Sequence, residues 1–170
     1  MEQQKIKSFY IKSFLLAFIS IITLSCGVPR HAVEIHDYEL LENGKQITGK
    51  DKGLTAFIFE NNPTKIPFVQ FLSEKYHVGK YKDVSYWVET DGYRFKVFLY
   101  DTDELNKYFD MGQFMVTTNV TENNIVGSTE KFIGLSMITE YNEDCLNENS
   151  LLQKIAINYL KSLKNEFNNL

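Results

Sequence analysis

The stretch VSYWVETDGYRFKVFLY, residues 84–100, places Asp91-Gly92 between two runs of strand-forming residues. Asp-Gly in such a setting is typical of a two-residue hairpin turn, because both turn residues adopt a positive φ. Strands joined by so tight a turn are antiparallel. The turn also sets the register, which places Trp87 opposite Lys96. We therefore expect an antiparallel sheet that contains this hairpin.

Other segments alternate with the same period of two and are expected to join that sheet. Residues 33–41 and 46–48 read as strands, and Asn43-Gly44 between them predicts a second hairpin. Strand patterns also cover LTAFIFEN (54–61), QFMVTTNV (113–120) and KFIGLSMITEY (131–141). These segments would bring the sheet to about six or seven strands.

Three segments have apolar residues at helical spacing instead. They are PFVQFLSEKYH (67–77), DTDELNKYFDMG (101–112) and SLLQKIAINYLKSLKNEF (150–167). Asp101 and Glu104 are expected to form a capping box at the second helix, which Gly112 would end. Ser150 and Gln153 are expected to form the same box at the third helix.

The last helix carries one continuous apolar stripe, expected to pack on the sheet with Leu160 buried at its centre. The members of the stripe are Leu152, Ala156, Tyr159, Leu160, Leu163 and Phe167. Together the elements predict an α+β fold. We expect a single antiparallel sheet of about six or seven strands, with about three helices packed on one face.

The start of the chain has the organisation of a secretory signal. Lys5, Lys7 and Lys12 provide a basic beginning, and FLLAFISIITLS (14–25) carries no charge. A membrane-spanning helix needs about 20 apolar residues, and this run is shorter. The pattern therefore predicts export from the cytoplasm rather than an additional element of the fold.

The stretch TLSCG (23–27) resembles the lipobox of bacterial lipoproteins. The resemblance implies that a peptidase cuts before Cys26 and that its thiol receives a diacylglyceryl group. Residues 1–25 are then the signal peptide, 26–32 the lipidated cysteine with a short tether, and 33–170 a single α+β domain. The expected location is the cell envelope, on the exported side, with the lipid on Cys26 anchoring the protein to a membrane. Ordinary secretion and an uncleaved amino-terminal anchor are the alternatives.

Removal of residues 1–25 leaves 15 basic against 21 acidic side chains, a net charge of −6. An acidic domain without a basic stripe is a poor match for nucleic acid, and we expect no nucleic-acid partner. Besides Cys26, the chain has one cysteine, Cys145, in NEDCLNEN (142–149). Acids around a thiol raise its pKa, and a catalytic cysteine needs the opposite.

The sequence lacks the common catalytic, cofactor and metal motifs, including GxSxG, the phosphate loop, HExxH and CxxC. His31 and His36 lie near acids, but five residues of strand separate them by about 16 Å. Asp101 to Glu104 resembles the opening of a calcium loop without its glycine or its distant glutamate. We therefore expect no catalytic residue, no cofactor and no metal.

Aromatic residues make up 14% of the chain, and several lie at the Asp91-Gly92 hairpin. Strand alternation places Tyr86 against the helices and Trp87 on the open side of the sheet. Because of the register, Arg94 and Lys96 share the side of Trp87. Trp87, Lys96 and Arg94 are therefore the candidate binding surface. The alternative is that these rings only pack the fold.

These observations favour a membrane-anchored envelope lipoprotein with a non-catalytic binding or accessory domain and a protein or glycan partner. One alternative is a small membrane-tethered hydrolase acting on cell-wall or glycan material. Another is an inhibitor or immunity-type lipoprotein, whose acidic domain would suit a basic target. An exposed tryptophan on a flat face would favour binding, and a pocket of convergent carboxylates would favour the hydrolase.

Overall fold

The computed structural model describes residues 32–47, 49, 51–79, 83–118, 125, 127–128 and 130–170. In these residues the chain forms an α+β domain, as the sequence predicts. The strands are β1 (Val33–Glu34), β2 (Glu39–Leu41), β3 (Ala56–Glu60), β4 (Ser85–Thr90), β5 (Tyr93–Tyr100), β6 (Phe114–Met115) and β7 (Phe132–Thr139). The helices are α1 (Phe68–Tyr76), α2 (Thr102–Tyr108) and α3 (Gln153–Asn168). Of the helices within the described ranges, none has the length and apolar character needed to cross a membrane.

Five of these strands form an antiparallel sheet in the order β2-β3-β7-β5-β4. β1 and β6 do not join it; they pair with each other in parallel, with Val33 opposite Phe114. The prediction of a single sheet of six or seven strands is therefore wrong. Alternation along one strand shows which residues share a side, but it does not show which distant segment the strand pairs with.

The hairpin predicted at Asn43-Gly44 is also wrong, although Asn43 has a positive φ of 65°. β2 pairs with β3 instead. Beyond the strands, the Gly44 N–H donates to the Leu54 carbonyl (2.8 Å), and the Leu54 N–H donates to the Lys45 carbonyl (2.9 Å). Gly44 is needed for close packing, because a Cβ there would lie 2.5 Å from the Tyr100 Oη.

Three predicted boundaries differ from the structure. Residues 46 and 47 are irregular, and residue 48 of that predicted strand lies outside the described residues. The strand expected over 113–120 is limited to β6, and residues 119 and 120 lie outside the described residues. α2 ends at Tyr108, before Gly112, which lies in a short 3₁₀ turn.

Both faces of the five-stranded sheet are covered, so the prediction that all helices pack on one face is wrong. β7 lies at the centre, and each of its residues is buried. In β3, Phe57 and Phe59 join the buried cluster of α1 and α3, and we call this side the first face. Ala56 and Ile58 join a second cluster with Leu105 of α2, on the second face.

Aromatic side chains join both helices of the first face to the sheet. The Phe68 ring of α1 lies edge-on to Phe59 of β3, with centroids 5.7 Å apart, and edge-on to Phe167 of α3, at 4.9 Å. Leu160 is fully buried in the same cluster, as predicted. Edge-to-face pairs of this kind add to the stabilisation that apolar burial provides.

One of the two predicted capping boxes forms. At α2 the Asp101 carboxylate accepts from the Glu104 N–H at 2.8 Å, and the Glu104 carboxylate accepts in return from the Asp101 N–H. The box predicted at α3 is wrong, because Leu152 is the residue before the helix. The Ser150 Oγ accepts from the Leu152 N–H instead of that of Gln153.

Candidate functional site

β4 and β5 form the predicted hairpin with the predicted register. Asp91 and Gly92 adopt φ values of 50° and 79°. Trp87 lies opposite Lys96, and every residue of β4 pairs with one residue of β5. A two-residue turn permits a single register, which is why the sequence alone places these residues correctly.

The two sides of β4 have different surroundings, as alternation predicts. On the first face Tyr86 is buried, and its ring stacks on Tyr76 of α1 with centroids 4.0 Å apart. On the second face Trp87 is 44% exposed. A large apolar side chain that is exposed on a regular strand is a candidate contact residue rather than a core residue.

Two cations lie beside the Trp87 ring. The Arg94 guanidinium carbon is 4.7 Å from the ring centroid, and the Lys96 Nζ is 6.0 Å from it. Lys96 also lies 5.1 Å from the Phe98 ring. Cation–π attraction at these distances favours this position of the indole. We call Trp87, Arg94, Lys96 and Phe98 the Trp87 face.

Other parts of the fold cover the rest of the second face. Leu105 of α2 packs so closely on β7 that a Cβ at Gly134 would come within 2.5 Å of its Cδ2. The Tyr100 hydroxyl accepts from the Lys45 N–H at 3.0 Å, so the chain after β2 lies over it. These contacts cover the second face around Tyr100 and leave the region around Trp87 accessible.

A groove of about 1160 Å³ opens near the turn of the hairpin, where Tyr93 lines it. Its charged side chains are five acids and one lysine: Glu42, Asp51, Glu143, Asp144, Glu148 and Lys52. Asp144 has a structural task, since its carboxylate accepts from the Thr55 N–H (2.7 Å) and the Leu146 N–H (2.9 Å). The sequence did not reveal this groove, because its acids come from segments that only folding brings together.

Cys145 is a buried free cysteine. Burial, together with the nearby Asp144 and Glu143 carboxylates, raises the pKa of the Cys145 thiol to about 12. The direction agrees with the expectation from the surrounding acids. A thiol that stays protonated at neutral pH is a weak nucleophile and a weak metal ligand.

The remaining predicted positions fall on the surface or outside the described residues. His36 is exposed, with its Nδ1 3.5 Å from the Glu34 carboxylate. Among the residues that the structure describes, no three His, Cys, Asp or Glu side chains come together as a metal site requires. His31 and Cys26 lie outside the described residues, so lipidation of Cys26 stays a prediction.

The fold and the site define a small α+β domain with an exposed tryptophan, held by cations, near one edge of its sheet. Comparisons of the chain with protein-family models, with curated proteins and with solved structures found no match. The function of this domain therefore has to be inferred from its residues and their geometry.

Proposed function

We propose that this chain is a non-catalytic lipoprotein of the cell envelope, anchored by a lipid on Cys26, whose domain binds a protein partner. The observation that carries the binding proposal is Trp87, which is 44% exposed and held under the Arg94 guanidinium. Tryptophan and arginine are the residue types enriched among those that dominate binding energy at protein interfaces. An indole already fixed by its neighbours loses little conformational freedom when a partner binds.

A protein partner suits the Trp87 face better than a glycan does. Sugars pack on the flat side of an aromatic ring. The Arg94 guanidinium, 4.7 Å from the ring centroid, occupies one such side, and Lys96 lies beside the ring as well. The rest of the ring and the guanidinium together form a mixed apolar and charged surface, which polar and apolar groups of a protein contact.

The Trp87 face lies far from the point where the described chain begins. β1 pairs with β6, and Phe114 of β6 packs on Phe132 at the start of β7, with ring centroids 6.1 Å apart. Trp87 pairs with Lys96 of β5, and Lys96 pairs in turn with Ile138, which lies near the other end of β7. The strand between these two levels spans about 20 Å. A tether that enters at β1 therefore leaves the Trp87 face free to meet a partner.

The anchor is tested by metabolic labelling of the full chain with a fatty-acid probe. We expect Cys26→Ser to abolish labelling and to release the protein from the membrane fraction, because the thioether is the attachment point. Cys145→Ser is the matched control and should retain both. Unchanged labelling of the Cys26→Ser chain would show that the lipid is elsewhere.

A second candidate is an inhibitor or immunity-type lipoprotein that blocks a basic protein. The acidic groove favours it, together with the net charge of −6 after residue 25. Opposite charge accelerates association and selects among partners. The same carboxylates are the feature that would favour the hydrolase acting on cell-wall or glycan material, but one of them, Asp144, is already bound to backbone N–H groups.

A further inference from the structure

β4 is an outer strand of the sheet, and half of its backbone groups point away from β5. The Leu99 N–H donates to the Val84 carbonyl at 2.9 Å, which identifies this pair as one of the hydrogen-bonded pairs of the ladder. Such pairs alternate along an antiparallel ladder. The N–H and C=O groups of Ser85, Trp87 and Glu89 consequently point to the outer side.

This edge lacks most of the features that commonly prevent strand addition, and its one charged side chain is Glu89. β4 has six residues, SYWVET, with no proline, no lysine and no bulge in its pairing with β5. Short length, proline, lysine and bulges are the usual protections of an edge strand. The opposite edge strand, β2, has three residues. Of the two edges in the described sheet, β4 is the better template for another strand.

The charge along this edge favours a basic occupant. Glu89 and Asp91 are exposed, and neither forms an ion pair with a described residue. Arg94 lies opposite Glu89 in the ladder, but its guanidinium pairs with Glu140 at 3.3 Å. The cation Lys96 lies on the inner neighbour, β5, so an added strand would be closer to Glu89 than to Lys96.

The acidic groove continues this charge beyond the end of β4. Tyr93 pairs with Thr90, the last residue of β4, and Tyr93 also lines the groove. A segment lying along β4 would therefore reach the end of the sheet at which the groove lies, although β4 and β5 separate it from the groove's carboxylates. Its basic side chains meet Glu89 along the strand, and the groove adds attraction at longer range.

We propose that β4 receives an extended, basic segment of the protein partner as an added strand of the sheet. A cationic side chain of that segment lies opposite Glu89, and an apolar or aromatic side chain lies opposite Trp87. Main-chain hydrogen bonds to Ser85, Trp87 and Glu89 supply affinity, and the side chains supply specificity. This proposal rests on the proposed function, since it names the partner's chemistry at the Trp87 face.

The test is a fluorescence titration of the full chain, purified in detergent. The chain has one tryptophan, so its emission reports on Trp87 directly. The probes are two short, acetylated and amidated peptides with a four-residue repeat, Lys-Thr-Val-Thr in one and Glu-Thr-Val-Thr in the other. Along one side of such a strand, valine alternates with lysine or with glutamate, so a charged and an apolar side chain can lie opposite Glu89 and Trp87. We expect the lysine peptide to bind about tenfold more tightly, a preference that weakens with salt. Equal binding of both peptides would overturn the charge assignment.

Two variants separate the backbone contact from the charge. Glu89→Gln keeps the outward N–H and should weaken binding of the lysine peptide about threefold. Glu89→Pro also removes that N–H, at a position where an edge strand tolerates proline. This variant should weaken binding of the lysine peptide by about a further tenfold. Equal affinity of the two variants for the lysine peptide would overturn strand addition.

If Glu89→Pro fails to fold, hydrogen exchange of the parent chain tests strand addition at β4 instead. The Trp87 and Glu89 amides should become protected when the lysine peptide is added, and unchanged exchange would contradict the proposal. Self-association of the parent chain that Glu89→Pro abolishes would show that a second copy occupies the edge, and would also contradict it. If Glu89→Pro keeps a native partner that Trp87→Ala loses, strand addition fails while the proposed function stands.

Discussion

Three tyrosine hydroxyls meet on the first face, between α1, β4 and α3. The Tyr76 and Tyr159 hydroxyls lie 2.7 Å apart, and the Tyr159 hydroxyl donates to that of Tyr86 at 3.2 Å. Burial raises the pKa of Tyr86 and of Tyr159 far above the ordinary tyrosine value. The hydroxyls satisfy each other's hydrogen bonds only while they keep their protons, and this makes the cluster sensitive to alkaline pH.

We predict that the free energy of unfolding falls as the pH rises above the ordinary tyrosine pKa of 10.0. Above that pH the unfolded chain releases protons that the folded chain retains, so the unfolded state is favoured by about 1.4 kcal/mol per pH unit for each such tyrosine. Below that pH the folded and unfolded chains both keep these protons, so the stabilisation is fully retained. Urea unfolding at a series of pH values measures the slope.

Tyr159→Phe should reduce that slope by about one proton. Tyr141→Phe, at a tyrosine that is 80% exposed, is the matched control variant. Equal slopes for the parent and Tyr159→Phe would show that Tyr159 titrates in the folded protein as it does in the unfolded chain.

At the scale of elements, α3 depends on the stripe that the sequence shows. Ala156, Leu160, Leu163 and Phe167 are its fully buried members. We predict that Leu160→Ala lowers the free energy of unfolding by about 2–5 kcal/mol, the usual range for a core leucine. Leu151→Ala, at a residue 99% exposed, should change it by less than about 0.5 kcal/mol. A parental melting curve for Leu160→Ala would mean that α3 does not depend on this packing.

The elements that the sequence predicts correctly are those whose determinants are close together in the chain. The β4–β5 hairpin follows from Asp91-Gly92, and α2 from its capping box, because each signal acts within a few residues. The same Asn-Gly signal misled at Asn43-Gly44, where β2 takes a more distant partner, β3. Local turn preference is weaker there than the burial of Phe57 and Ile58 in a sheet covered on both sides.

In the candidate site, too, the features set by nearby residues were predictable and those set by distant segments were not. Exposure of Trp87 and its placement with Arg94 and Lys96 follow from alternation and register, so the sequence was sufficient for the Trp87 face. The outer position of β4 in the described sheet was not predictable, because it depends on where β7 and β3 enter the sheet. The acidic groove was not predictable either, since its lining comes from three separate parts of the sequence: residues 42–55, Tyr93 and residues 142–152.

At the scale of the whole molecule, the domain has two separated regions. The described chain enters beside β6, and the Trp87 face lies at the other end of the sheet, near the acidic groove. Such a separation lets a tethered domain stay attached to a membrane while it contacts a partner. The central claim is therefore that the Trp87 face is a contact surface and not a part of the fold's packing.

The most direct measurement is quantitative recovery of proteins that copurify with the full chain from its native cells, compared among the parent, Trp87→Ala and Met115→Ala. Trp87 and Met115 are both 44% exposed, but Met115 lies on β6, away from the Trp87 face. We predict that Trp87→Ala keeps its free energy of unfolding within about 1.5 kcal/mol of the parent, yet loses a copurifying protein about tenfold. Met115→Ala should recover it fully. Recovery of the same proteins in the same amounts by all three chains, or failure of Trp87→Ala to fold, would contradict the account.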